Sequence, residues 1–326
     1  VYDFSVSYHQ LGRERFEKQL SEVDGPDKKI HLSFHYPPEA EDLRKISKKL
    51  SNSINLTISI WYDPKKVKKE QCAYNFLEEF PELNSLWFKY TPWIESLEFL
   101  ESVPRLKFLD ICQNKNNRLS VKPIGNLKNL KELILEGYQN DISCLEKCDS
   151  LAMVTLSRSP LADFSFLNGV PNLWYLKIGQ SKIKAMEQAE NLKIKYLELW
   201  LMPNIKDISF AAKLKSMEEL MIDQLNNLEK IESCSELKRL ENVKIERCKK
   251  LKDISGLAAA QKLTSLRIYD CANLIPESFN AFTDHPNLRY GILDIGDEEK
   301  NRKLEELLPL STPSGYPEVH WSKFQN

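Results

Sequence analysis

Along most of this chain, apolar residues recur at the spacing L-x-x-L-x-L with polar residues between them. One full copy can be read from Leu240 to Lys262. Leu240, Val243 and Ile245 open it, Cys248, Leu251, Ile254 and Leu257 follow, and Leu263 starts the next copy. The same opening occurs at Leu83/Leu86/Phe88, Leu106/Leu109/Ile111, Leu130/Leu133/Leu135, Leu151/Val154/Leu156 and Leu173/Leu176/Ile178. It continues at Ile194/Leu197/Leu199, Met217/Leu220/Ile222 and Leu263/Leu266/Ile268, and a damaged copy begins at Leu288 with Gly291 in its second slot. Successive starts are separated by a near-constant period of roughly 21–25 residues. The opening alternates as a strand does. Further apolar residues six and three places before several of the starts (Leu145/Cys148, Leu167/Val170, Cys234/Leu237) share one side of a helical turn. Each copy therefore predicts a strand, a turn and a short helical return. One copy cannot close a core alone, but stacked copies cover each other.

Residues 1–82 read differently from the rest. Phe4–Tyr8, Ile30–Tyr36 and Ile54–Trp61 alternate as strands, and charged segments with helical spacing lie between and after them. Leu11, Phe16 and Leu20 mark one such segment, Leu43, Ile46 and Leu50 a second, and Val67, Cys72, Phe76, Leu77 and Phe80 a third. Leu32 and Leu56 are separated by about one repeat length, so residues 1–82 are expected to form an α/β N-terminal cap continuous with the repeats at 83–296. A separate small α/β domain is the alternative. After Leu293, the amphipathic stretch Asp297–Leu308 should cover the last repeat, and the tail with Tyr316, Trp321 and Phe324 should dock on the body, so that 297–326 form the C-terminal cap.

Four copies carry an Asp-apolar-Ser step, at Asp141, Asp163, Asp207 and Asp253, suited to capping the return turn. With these steps (as in NIKDISFAAKLKS) and its roughly 22-residue copies, the stretch from Leu83 to about Gly296 resembles the leucine-rich repeat family, and within it the internalin-like subclass. That resemblance implies an α/β solenoid, a horseshoe with a parallel sheet on its concave side and short helices or 3₁₀ turns on its convex side. One departure stands out: the family often places Asn at the ninth position, and here only Asn114 does so, while Tyr138, Ser159, Ser181, Met202, Leu225, Cys248 and Cys271 take that place in later copies.

Composition narrows the setting. Net charge is −1 with 29% charged residues, so no global basic field draws the chain to nucleic acid or anionic lipid. No apolar run approaches the roughly 18 residues of a membrane span. The seven cysteines are scattered without C-x-x-C, mostly in slots that want a small hydrophobe, and no secretory signal opens the sequence at Val1. Reduced cysteines and a cytoplasmic location are expected. The alternative of a secreted or surface adhesion protein requires a removed leader and oxidised cysteines. The single sequon, Asn55-Leu56-Thr57, falls in an expected strand.

Chemical motifs are missing where an enzyme would show them. The ten glycines form no G-x-G-x-x-G and no phosphate loop, and no G-x-S-x-G elbow exists. His31 and His35 share a strand face without a third ligand, and His285 occupies a convex core slot. The basic run Lys65-Lys66-Val67-Lys68-Lys69 reads as a solvated helix start. The expectation is a chain with no catalytic residue, cofactor or metal. The rival reading makes residues 1–82 a catalytic module and the repeats its substrate reader.

Function is then expected on the strand face turned away from the leucines, because strand side chains alternate. The third, fifth and seventh positions of each copy place large groups there. The residues expected to bind a partner are Trp87, Phe108, Glu132, Met153, Tyr175, Tyr196, Glu198, Trp200, Met221, Arg267 and Tyr269. Tyr175, Tyr196 and Trp200 are the expected hot spot, flanked by Trp87 and Phe108 on one side and Tyr269 on the other. Removing the Tyr196 ring should thus weaken binding and spare folding. The three columns hold eight carboxylates (Asp110, Glu132, Glu136, Glu198, Glu219, Asp223, Glu246, Asp294) against four cations (Lys89, Lys177, Lys244, Arg267). Such a face suits a basic protein partner, as for an inhibitor or immunity protein against a basic toxin, and repels nucleic acid.

Overall fold

The computed structural model of the chain describes residues 2–8, 13–23, 25, 27–50, 53, 55–63, 65–72, 74–90, 93–112, 119–137, 140–159, 161, 164–184 and 193–312. Leu11, Asn114, Tyr138, Asp163 and the tail rings Tyr316, Trp321 and Phe324 lie outside these residues. The chain divides into two compact units, Val1–Lys193 and Ile194–Asn326.

The first unit holds β1 (Phe4–Tyr8), α1 (Arg13–Glu22), β2 (Lys29–Phe34), α2 (Ala40–Leu50) and β3 (Asn55–Trp61). There follow β4 (Ser85–Tyr90), β5 (Phe108–Ile111), β6 (Glu132–Glu136), β7 (Met153–Ser157) and β8 (Tyr175–Gly179). These strands pair in parallel and in chain order, so Val6, Leu32, Ile58, Leu86, Leu109, Leu133, Val154 and Leu176 stand in one register and are fully buried. The early strands β1–β3 thus run directly into the repeats, through the Ile58–Leu86 pairing.

Phe16, Leu20, Ile46 and Leu50 bury the inner sides of α1 and α2, as their spacing predicts. Tyr8 ties the two segments together, its hydroxyl donating to Asp42 Oδ2 at 2.9 Å. The third segment is not one helix but two 3₁₀ turns, Lys69–Gln71 and Asn75–Glu79. Its buried residues Tyr74, Leu77, Phe80 and Leu83 come every third place, and a three-residue period matches 3₁₀ geometry rather than α.

That period governs the later returns as well. Leu97, Leu100, Val103 and Leu106 are all buried, and the N–H of each of the last three donates to the carbonyl of the residue three earlier. The ladder recurs at Val121/Ile124/Leu127/Leu130 and Phe164/Leu167/Val170/Leu173. One set of positions therefore fills the core and closes the backbone bonds of the return leg.

The second unit holds β9 (Tyr196–Trp200), β10 (Glu219–Asp223), β11 (Asn242–Glu246), β12 (Ser265–Tyr269), β13 (Tyr290–Asp294) and α3 (Glu298–Leu307). Leu197, Leu220, Val243, Leu266 and Gly291 share the register there. Ladders recur at Ile208/Ala211/Leu214/Met217 and Ile254/Leu257/Ala260/Leu263. The return between β10 and β11 differs from the expected helical turn. It lies extended against the next return, with Ile231 N donating to Asp253 O at 3.0 Å and Cys234 N to Gly256 O at 2.9 Å. Glycine at 256 makes this approach possible, since a Cβ there would sit 2.3 Å from Ile231 O and 2.4 Å from Glu232 O.

Two devices repeat that the apolar spacing does not announce. The residue just past several strands (Arg158, Gln180, Leu201, Gln224, Arg247, Asp270) takes a left-handed conformation with φ of 50 to 55°. Its N–H can then reach the neighbouring strand, as Gln224 N does to Glu246 O at 2.9 Å. In addition, an Asn directly before a Leu donates its amide to a carbonyl of the preceding copy, ahead of a strand at Asn129 (to Pro104), Asn172 (to Asp149) and Asn287 (to Gln261) and just after one at Asn227 (to Pro203) and Asn273 (to Lys249). The Asp-apolar-Ser steps act as expected at Asp207 and Asp253, whose Oδ1 atoms accept from Ser209 N and Ser255 N. Asp141 instead is itself left-handed and accepts from Ser120 Oγ.

The damaged last copy has a steric cause. A Cβ at Gly291 would lie 2.4 Å from Leu310 Cδ1, and Ser311 pairs beside β13 through Gly291 N to Ser311 O (3.1 Å) and Ser311 N to Arg289 O (2.9 Å). Helix α3, capped by the Asp297 carboxylate on Lys300 N, buries Leu304 against β13 and the 3₁₀ turn Pro276–Phe282.

Two substitutions test this packing. Leu220→Ala should lower unfolding stability by about 2–5 kcal/mol in chemical denaturation, because it empties a buried register position. Gly256→Ala should cost about 1–3 kcal/mol by overpacking two backbone carbonyls, and an unchanged denaturation midpoint would contradict the close approach described.

Candidate functional site

The outward positions of each strand are held by the leucines beneath them, and neighbouring strands set their groups about 4.8 Å apart. In the first unit the indole of Trp87 on β4 stacks on Phe108 of β5, with ring centroids 4.5 Å apart and planes 25° from parallel. Lys89 Nζ lies 4.9 Å from the Trp87 ring centroid, in cation–π range. Both rings are half-buried, and Trp87 Nε1 is buried with no hydrogen-bond acceptor among the described residues.

Acids border this stack. Asp110, on the same face of β5, is buried and accepts from Cys112 Sγ at 2.7 Å. Burial is the main cause that raises its pKa, opposed by the Cys112 hydrogen bond and by Lys89. Glu132 on β6 pairs in register with Phe108, and burial first, then the charge of Asp110, pushes its carboxyl up to about 7. Met153 on β7 is half-buried one strand further on.

Tyr175 does not match its expected exposure. Only 6% of it is open to solvent, so its ring belongs to the protein's own packing. The same correction applies in the second unit to Tyr196, at 5%, and to Glu198, at 7%. The Tyr196 hydroxyl donates to Glu198 Oε2 at 3.1 Å and meets Met221 Sδ at 3.7 Å. A Tyr196→Ala change would therefore remove internal contacts and cost folding. Arg267 is likewise buried. Trp200, Met221 and Tyr269 remain half-buried, and Tyr290 is exposed. The outward face thus offers Trp87, Phe108, Glu132 and Met153 in the first unit and Trp200, Met221 and Tyr269 in the second.

Charge on this face is also partly spent internally. Arg247, in the left-handed position after β11, clamps Asp223 with Nε at 2.9 Å and Nη2 at 2.6 Å. Arg158 reaches Glu136 at 2.6 Å in the same way. Lys244 pairs with Glu246 at 2.7 Å and lies 5.6 Å from the Tyr269 ring centroid. The column count missed the two arginines because they stand one residue beyond the strands.

Elsewhere the polar side chains make structural contacts. His31 Nε2 lies 2.8 Å from Ser59 Oγ and 3.3 Å from Ser33 Oγ, with Tyr2 stacked on the ring at 4.7 Å. Burial lowers the pKa of His31, and Lys89 adds to the effect. Among the described residues no carboxylate bonds to this ring, so the Ser–His pair lacks the orienting acid of a nucleophilic triad. His285 is packed as expected, with Nδ1 accepting from Leu288 N at 3.0 Å and Nε2 3.1 Å from Ala260 O. The seven cysteines are unpaired. Among the described residues no helix is long and apolar enough to cross a membrane.

No protein-family model and no curated protein matches the sequence. Solved structures do. An internalin (InlF) of Listeria monocytogenes matches with a TM-score of 0.54 and 18% identity, over 92% of this chain and 88% of that one. Another internalin of the same organism, InlC2, gives 0.42 at 20% identity over 67% and 81%, and a leucine-rich repeat protein of Leptospira interrogans gives 0.43 at 16% over 94% and 99%. With its parallel strands in chain order and a 3₁₀ return in most copies, the chain has the leucine-rich repeat solenoid fold, in the form seen in an internalin.

Proposed function

We propose that this protein is a non-catalytic binding module that docks a partner protein on the outward face of its strands. The observation that carries this reading is the Trp87–Phe108 stack with Asp110 and Glu132 beside it. Rings held half-open on a rigid sheet are strong interface anchors, because little side-chain entropy is lost when they are covered. Carboxylates next to them favour a partner that brings lysine or arginine, and a basic toxin held by an inhibitor or immunity protein fits that description. In the second unit Trp200, Met221 and Tyr269 supply further apolar surface. Continuity of β1–β3 with the repeats supports one binding scaffold over a separate catalytic module, and the unpaired thiols support a reducing, cytoplasmic setting.

The test is capture from a lysate with the full chain, comparing wild type with a Trp87→Ala/Phe108→Ala double variant. The variant should lose about 2 kcal/mol or more of partner affinity while its unfolding midpoint shifts far less than that of a core variant. Retention of the same partner at the same affinity would remove this surface from the interface. Affinity for a basic partner should also fall as salt is added.

Glu132 makes the face pH-dependent. Its folded pKa of about 7 lies above the ordinary 4.5, so the folded chain binds the extra proton between these values and loses stability as pH rises through that window. Glu132→Gln should flatten this slope between pH 5 and 8 in thermal melts. Because Glu132 ionises only above about pH 7, affinity for a cationic partner should rise across neutrality in wild type and not in the variant.

A further inference from the structure

The second unit contains a cation that the fold leaves unanswered. Arg267, in the middle of β12, is 7% exposed, yet among the described residues it forms no ion pair and its Nε is buried without a hydrogen-bond partner. Two residues earlier on the same strand face, Ser265 is 5% exposed and its hydroxyl is also buried and unpartnered. A guanidinium carries five donors in a planar fork, and burying even one of them without a partner is costly. Its register neighbour makes the deficit worse, since Lys244 on β11 stands directly opposite Arg267. Like charges opposed on neighbouring strands repel.

Four nearby acids are engaged with other groups. Asp223 is clamped by Arg247, Glu246 is held by Lys244, and Glu198 accepts from Tyr196. Asp294 accepts from Gly296 N at 3.0 Å and Asn301 Nδ2 at 2.9 Å. Four carboxylates of the face thus have hydrogen-bond partners, while among the described residues the buried Nε of Arg267 has none.

We propose that Arg267 and Ser265 form a carboxylate-binding site, which takes an acidic side chain or chain terminus of the docked protein. A carboxylate can accept two parallel N–H bonds from the guanidinium fork and a third from the Ser265 hydroxyl. A monoanion matches the single positive charge of the guanidinium better than a phosphate dianion does. As a contact with a partner protein the site rests on the docking reading above; as a carboxylate site it does not.

The experiment uses the full chain labelled with ¹⁵N-arginine, following the Arg267 Nε–H resonance, assigned by its absence from Arg267→Met. Sodium acetate and acetyl-glutamate amide are titrated at constant ionic strength, with sodium chloride and acetyl-glutamine amide as controls and inorganic phosphate as the competing anion. The expected result is a saturable shift with the two carboxylates alone, weakened about threefold or more in Ser265→Ala. A shift shared with chloride or the glutamine amide, tighter saturation by phosphate, or no saturation would each overturn the site. Arg267→Met should also melt no lower than wild type, since it removes an unpaired buried charge; a clear loss of stability would mean that Arg267 has a structural partner and would sink the proposal as well. Acetate binding with no protein captured would leave the carboxylate site standing and count against docking only.

Discussion

No single copy in this chain can bury its own apolar edge, and the solution adopted is to make the same positions serve two needs. Leu97, Leu100, Val103 and Leu106 fill the space beneath the strands, and their backbone amides close the 3₁₀ return at the same time. A polar residue in that ladder would cost packing, and a shift by one residue would cost both packing and hydrogen bonds. Everything outward depends on this coupling. It holds the strands in one register, and the register decides which side chains stand next to each other on the opposite face.

This is also why so much of the fold was legible beforehand. A spacing of three in the returns and L-x-x-L-x-L in the strands leaves few alternatives, and each opening triplet from Leu83 to Leu288 leads into a parallel strand. The extended return around Ile231 was less visible, because its apolar residues keep the spacing of a 3₁₀ turn and only Gly256 in the next copy betrays the change. The Asn staples were legible in principle, as an Asn repeatedly placed before a Leu, but that dipeptide carries no periodic apolar signal of its own.

The outward face was harder to read. Alternation tells which side of a strand a residue occupies, but exposure depends on how side chains lean across neighbouring strands. Tyr196 lies down onto Glu198 and Met221 instead of standing free, and Arg158 and Arg247 reach back from beyond the strands to neutralise acids that looked unpaired. What remains open is smaller and more specific than the sequence implies, with the Trp87–Phe108 stack in one unit and Trp200 and Tyr269 in the other.

The pairing of Ser311 alongside β13 has a consequence for how this molecule behaves in concentrated solution. A stack of identical modules invites another molecule to continue it, because its final strand offers unsatisfied amides and carbonyls to any newcomer. Here the polypeptide spends its own residues on that vacancy, with Leu310 filling the hollow over Gly291. Ser311 and Leu310 thus cover this edge around Gly291 with the chain's own residues.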